Sequence, residues 1–275
     1  MPESVAPGAQ KSWRPAPILS ASIALQVAAV TAVAIRPHVW PWALGAVIAD
    51  HLVLTGIGLW PRSTLLGPNW TRLPDEAARR GAVAITIDDG PDPDITPRVL
   101  ALLDEHSAKA TFFCIGDRVL RHPELAREIV RRGHAIENHS QRHLHHFSVM
   151  GLRSLTKEIG RAQDSIAAVA GVTPRFFRAP AGLRNPLLEP VLTRFGLRLA
   201  SWTRRGFDTV SHDADVVLDK LTRKLGAGDI LLLHDGHAGR TRAGEPLVFE
   251  VLPKLLATVA AANLRPITLR EALPT

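Results

Sequence analysis

Ile85-Thr86-Ile87-Asp88-Asp89-Gly90-Pro91 is a β-branched apolar run that ends in two adjacent carboxylates and a turn. Branched residues favour a pleated, buried strand, and Gly-Pro stops it. A strand ending in this way can place one carboxylate on a metal and leave the other beside it as a base. Successive side chains of an extended chain point to opposite sides, so Asp88 and Asp89 cannot serve interchangeably. Fifty residues on, His139-Ser140-Gln141-Arg142-His143 supplies two imidazoles, and Leu232-Leu233-His234-Asp235-Gly236 supplies a third. Two histidines four positions apart converge on one metal from a helix turn or a folded loop. A carboxylate is the expected third ligand, with Zn2+ the default and Co2+, Ni2+ or Fe2+ accepting the same donors. His145 and His146 crowd the same segment as surface or supporting histidines.

Apolar runs alternate with helical patterns on both sides of this strand. Strands are predicted at 82–87, 110–115, 134–137, 175–178, 197–201, 229–233 and 266–269, with helices at 97–106, 123–132, 154–169, 186–195, 213–225 and 247–262. That alternation predicts an α/β fold, as a (β/α) barrel or an open sheet. Asp88, Asp89, His139, Arg178 and His234 all follow apolar segments directly, where a β/α fold gathers its functional side chains. Cys114 lies within a predicted strand, and a single cysteine excludes an internal disulfide framework; a small core residue is its expected role.

The first third reads differently. Residues 18–35 form an uncharged run of Ala, Val and Ile, long enough to cross the hydrocarbon core, and a second apolar stretch covers 42–60. Trp13, Trp40, Trp42, Trp60 and Trp70 cluster at the edges of both runs, as interfacial anchors do. The reading is a membrane helical hairpin within 1–64, a turn-rich connector at 65–80, and a catalytic domain at 81–270. A cleaved signal peptide explains the first run but not the second, and two buried helices of a soluble protein are the other alternative. Lys11 and Arg14 precede the hairpin, Arg62, Arg72, Arg79 and Arg80 follow it, and its turn holds only Arg36. The positive-inside rule then puts both ends and the large domain in the cytoplasm, at the cell inner membrane. Asp50 is costly at membrane depth unless paired, and His51 is its neighbour in sequence. If that pair defeats the second span, the alternative is a single-span anchor with an exported (periplasmic) domain.

The chain carries a formal charge of +7, but from Gly81 onward 26 basic residues face 22 acidic ones, a surplus of only four. No aromatic-basic interleaving or zinc-finger spacing accompanies it, which argues against nucleic acid as a partner.

Taken together, these residues resemble the polysaccharide deacetylases of the NodB-homology group, carbohydrate esterase family 4. The segment 85–91 is similar to the first of five motifs and 139–143 to the second. Arg178-Ala179-Pro180 is similar to the third, Asp208 with the upstream Trp202 to a weakened fourth, and Leu232-Leu233-His234 to the fifth. The resemblance implies a distorted, incomplete (β/α) barrel of about seven strands. It also implies a hydrolase of linear amides, removing an N-acetyl group from an amino sugar in a polysaccharide, an oligosaccharide or a lipid-linked glycan. On that reading Asp89, His139 and His143 bind the metal, Asp88 is the general base and Arg178 pairs with it, while Asp208 orients His234, the general acid. Substrate contacts are expected from Pro180, Ala181, Arg205 and Leu232.

Departures from the family pattern narrow the expectation. An aromatic residue commonly follows the third motif, where this chain has Ala181; Arg205 and Thr209 stand where the fourth motif carries an acid and a tryptophan. A site rimmed by Arg184, Arg204 and Arg205 suits an anionic, phosphate-bearing or lipid-linked amino sugar better than a neutral groove would. A deformylase or O-acetyl esterase on the same fold, and an inactive sugar-binding module, are the competing functions.

Overall fold

The computed structural model describes residues 12–274. Its centre is a parallel sheet: β1 (Ala82–Asp88), β2 (Ala110–Cys114), β3 (Ala135–Asn138), β4 (Phe176–Phe177), β5 (Arg198–Leu199), β6 (Arg204–Arg205), β7 (Ile230–His234) and β8 (Arg265–Pro266). The strand order is β5-β4-β3-β2-β1-β7-β6, with β8 beside the start of β1. Seven strands thus follow one curved path that does not close, an incomplete barrel as expected. β1, β2 and β7 are buried along their whole lengths, because helices cover one side and the barrel interior the other. Cys114 is among those buried residues, and burial pushes its thiol pKa up, as suits a core side chain.

The helices are α1 (Pro17–Ile35), α2 (Trp40–Gly58), α3 (Asp75–Arg79), α4 (Thr96–Glu105), α5 (Gly116–Arg121), α6 (Pro123–Arg131), α7 (Leu152–Ala170), α8 (Leu188–Phe195), α9 (Ala214–Thr222) and α10 (Val248–Ala261). Pro97 and Pro123 stand in the first turns of α4 and α6, where a missing N–H costs nothing. α9 begins on Asp213, whose carboxylate accepts the N–H groups of Asp215 and Val216. Sequence reasoning missed α3, α5 and β6, all too short to show a period.

The stretch 65–80, read from the sequence as a connector, fills the gap in the barrel. Trp70 bridges to Ala200 and Arg72 to Asp229. Leu66, Leu73 and Ala77 are buried.

α1 and α2 are each long and apolar enough to cross a membrane, and they pack as an antiparallel pair. Their outer faces expose large apolar side chains, Val30 at 72% and Trp42 at 83%. So much contiguous hydrocarbon surface suits lipid, not water, which removes the reading as buried helices of a soluble core. Asp50 is paired, but mainly across the hairpin: Ser22 Oγ donates to its Oδ2 at 2.6 Å, and Gln26 lies beside both. His51, the partner suggested by adjacency, turns its Nδ1 to the Val47 carbonyl at 2.8 Å. Successive helix positions face different directions, which is why the neighbour in sequence is not the main partner.

The hairpin is fastened to the barrel. The Arg184 N–H donates to the Gly58 carbonyl at 3.1 Å, and Ser201 Oγ donates to the Pro61 carbonyl at 2.6 Å. A Cβ at position 58 would lie 2.2 Å from the Arg184 carbonyl oxygen, so only glycine permits this approach.

Candidate active site

The C-terminal ends of β1, β3, β4 and β7 bring the chemistry together. β1 ends on Asp88, and the next residue, Asp89, turns into a left-handed conformation at φ 77°. That reversal lets both carboxylates face His139, where the alternation of an extended chain would have sent them to opposite sides. Four of the eight non-glycine residues with left-handed φ among the described residues are Asp89, Ser140, His143 and Ala181. Such conformations cost free energy and persist where surrounding structure enforces them. Here Asn138 Oδ1 accepts the Ser140 N–H at 2.9 Å, Ser140 Oγ accepts the His143 N–H at 3.1 Å, and the buried Glu158 carboxylate holds Arg142. The two histidines therefore converge from a pinned loop, not from a helix.

Asp89 Oδ1 lies 3.2 Å from His139 Nε2 and 3.2 Å from His143 Nε2. It is buried and has no hydrogen-bond partner. Three electron-pair donors facing one another around an orphaned buried oxygen are the signature of a cation site. His139 Nδ1 is 2.8 Å from the Arg178 carbonyl, and donating its proton there leaves Nε2 free to coordinate. Burial above all brings the His143 pKa down to about 4, so this ring is neutral and ready as a ligand. Burial alone would raise the Asp89 pKa, but the imidazoles of His139 and His237 against it hold the carboxyl well below its usual range. Asp89, His139 and His143 thus form a metal-binding triad.

Asp88 faces the same space, its Oδ2 3.9 Å from His139 Nε2. Its Oδ1 receives Arg178 Nη1 at 2.6 Å. Arg178 is completely buried, yet every arm of the guanidinium is used: Thr86 Oγ1, the Ala200 carbonyl and the Ser201 carbonyl accept at 2.8, 3.1 and 2.8 Å. Its Cζ lies over the Phe113 ring, 4.1 Å from the centroid. A buried ion pair so fully hydrogen-bonded fixes the direction of a carboxylate better than it adds stability.

Across the cavity, His234 Nδ1 is 2.9 Å from Asp208 Oδ1, while Asp208 Oδ2 accepts the His234 backbone N–H at 2.8 Å. Burial would lower the His234 pKa, but the Asp208 carboxylate outweighs it and pushes the value up to about 9. The cavity, about 210 Å³, is lined by Asp88, Asp89, His139, His143 and His234 together with Ala181, Trp202, Arg205, Thr209, Leu232 and His145. Pro180 is buried one position before Ala181 and is not part of that lining.

Two of the three arginines expected at the rim lie elsewhere. Arg184 is buried where the hairpin meets the barrel and donates to the Ser63 carbonyl. Arg204 turns away to Asp229, at 2.8 Å, and to the carbonyls of Arg223 and Lys224. An internal carboxylate and the carbonyls at the end of α9 claim Arg204, and a loop carbonyl claims Arg184. Arg205 alone borders the cavity, stacked between Trp202 and Phe207.

Sequence reasoning overlooked His237 and Asp235. His237 Nδ1 is 2.9 Å from Asp89 Oδ2, which leaves Oδ1 as the oxygen turned toward His139 and His143. Asp235 is fully buried and accepts Thr96 Oγ1 at 2.5 Å; burial raises its pKa to about 7. The signal was present in His234-Asp235-Gly236-His237. Its meaning depends on Gly236, where a Cβ would lie 2.3 Å from the Asp89 carbonyl oxygen. Glycine lets the loop after β7 press against the loop after β1.

A sequence profile described as polysaccharide deacetylase matches residues 75–200. A peptidoglycan N-acetylglucosamine deacetylase of Bacillus cereus is 35% identical over 175 residues, covering 63% of this chain and 81% of that protein. A chitooligosaccharide deacetylase of Azorhizobium caulinodans is 35% identical over 158 residues, covering 57% of this chain and 75% of that protein. Among solved structures, a family 4 carbohydrate esterase from Streptomyces lividans in complex with acetate superposes with a TM-score of 0.61 at 31% identity, covering 68% of this chain and 91% of that one.

Proposed function

The chain belongs to the polysaccharide deacetylase family, and from that premise we propose that it hydrolyses the N-acetyl group of a membrane-linked amino sugar, with Zn2+ as its metal. The observation that carries this reading is the placement of three devices around one cavity: the Asp89-His139-His143 triad, the Asp88–Arg178 pair and the His234–Asp208 pair. The two-imidazole, one-carboxylate donor set suits zinc, with Co2+, Ni2+ and Fe2+ as alternatives. A divalent cation held there supplies a Lewis acid that polarises the amide carbonyl and acidifies a water.

The protein's own groups divide the remaining work. Asp88, its Oδ1 held by Arg178, presents Oδ2 to accept the proton of the attacking water. His234, protonated at neutral pH because of Asp208, delivers a proton to the departing amine, which is otherwise a poor leaving group. Trp202 and Leu232 exclude water from the cavity, and Arg205 contacts the sugar or its substituent. The curated relatives named above act on N-acetylglucosamine in peptidoglycan or on chitooligosaccharides, and this chain's N-acetylated glycan is taken to be of that class. The hairpin favours a lipid-linked carrier over a soluble polymer.

The full-length protein, purified in detergent and loaded with zinc, is expected to release acetate from N-acetylglucosamine-containing acceptors. Chelation should stop release and added zinc restore it. Formate instead of acetate would make the protein a deformylase. Binding of N-acetylated oligosaccharide with neither product, whatever metal is supplied, would leave a sugar-binding module.

The positive residues flanking the hairpin support a cytoplasmic catalytic domain, with the turn at Arg36 on the far side. Protease added to intact spheroplasts is therefore expected to leave the domain whole. Its digestion without lysis would place the domain outside.

A further inference from the structure

A second cavity, about 640 Å³, adjoins the active site and shares Trp202 and Arg205 with it. Its far wall is Trp60-Pro61-Arg62, the residues that leave α2 at the membrane boundary. Five cationic side chains line it, but two are already neutralised: Arg204 by Asp229, and Arg223 by Asp219. Arg62, Arg205 and Lys220 have no carboxylate within 4.0 Å among the described residues. Arg62 donates only to the Thr203 carbonyl, at 3.3 Å. The Arg205 guanidinium lies 5.3 Å from the Trp202 ring centroid and 4.9 Å from that of Phe207, and Lys220 Nζ lies 5.2 Å from the Phe207 centroid. Arg205 Nε is buried without a hydrogen-bond partner.

Three uncompensated cations around an open cavity, two of them held by aromatic rings, make an anion site, and guanidinium groups match phosphate oxygens in geometry as well as charge. We propose that this cavity is a phosphate subsite, which holds the phosphate joining the amino sugar to its lipid while the acetamido group lies in the metal-lined cavity. The order of parts along the protein, membrane end, cations, metal triad, matches the order lipid, phosphate, sugar in such a molecule. This inference rests on the lipid-linked reading above and adds the group that would be recognised.

The test uses full-length protein and two soluble monosaccharides, N-acetylglucosamine 1-phosphate and the neutral methyl N-acetylglucosaminide, so that no lipid tail contributes. Binding is measured by calorimetry and turnover by acetate release, for the wild type and for Arg62→Gln/Lys220→Gln, both exposed positions whose substitution leaves the core alone. The wild type should bind and turn over the phosphate-bearing sugar with at least about tenfold preference, and the double variant should lose that preference. The preference should also shrink as salt is raised. Equal handling of the two sugars by the wild type, or an undiminished preference in the double variant, overturns the subsite. Phosphate-dependent binding that the double variant loses, without acetate release from either sugar, would uphold the subsite and overturn the deacetylase reading instead.

Discussion

Asp88→Asn is expected to lower turnover by about 10²–10⁴-fold while the protein keeps its metal. Asparagine has the same shape, and its carbonyl oxygen still accepts the 2.6 Å hydrogen bond from Arg178, so the cavity wall stays in place. What it lacks is the lone-pair basicity that takes the proton from water. The metal triad does not include position 88, so metal retention and turnover should separate. Metal analysis of the purified variant beside steady-state acetate release reads both quantities. Undiminished turnover in metal-replete Asp88→Asn would remove Asp88 from the role of base.

Asp208→Asn should produce a second large loss, with a different pH signature. The carboxylate of Asp208 accepts both the His234 side chain and its backbone N–H, and it is fully buried. It is also the main reason the His234 pKa is pushed up to about 9, with Asp88 and Asp89 adding to it. A general acid works in its protonated form, so activity holds below that pKa and falls as pH rises through it. A bound divalent cation repels the imidazolium and draws the limb downward, in wild type and variant alike. Without the carboxylate the alkaline limb should move to lower pH by roughly two units, since an opposite charge in contact is worth one to three. Turnover at neutral pH should drop by about 10²-fold or more, because the ring loses both proton and orientation. A rate–pH profile with its alkaline limb unmoved would show that the acid is another group.

Much of this centre was legible in the sequence because its chemistry sits at strand ends. The run 85–91 announced β1 and its paired carboxylates, and 139–143 announced the converging imidazoles. The two long apolar helices were legible too, since their length and composition are those a membrane-crossing segment needs. Three things escaped. His237 reaches Asp89 only because the loop after β7 folds back over the loop after β1, a contact across 148 positions of chain. Arg184 and Arg204 looked like rim charges, but whether a charge faces a ligand or an internal carboxylate depends on tertiary neighbours that local sequence does not record. Segment 65–80 looked like a linker because its prolines and polar residues hide the few buried side chains, Leu66, Leu73 and Ala77, with which it fills the barrel gap.

The bonds at Gly58 and Pro61 have one more consequence. They couple the barrel to the hairpin without a slack tether, so a hairpin set in a bilayer would hold the catalytic cavity at a constant height over the lipid headgroups. For the lipid-linked substrate proposed above, encounter within the leaflet would then be a search in two dimensions. The controlling concentration would become the mole fraction of that substrate among lipids, and diluting the whole membrane suspension would leave it unchanged.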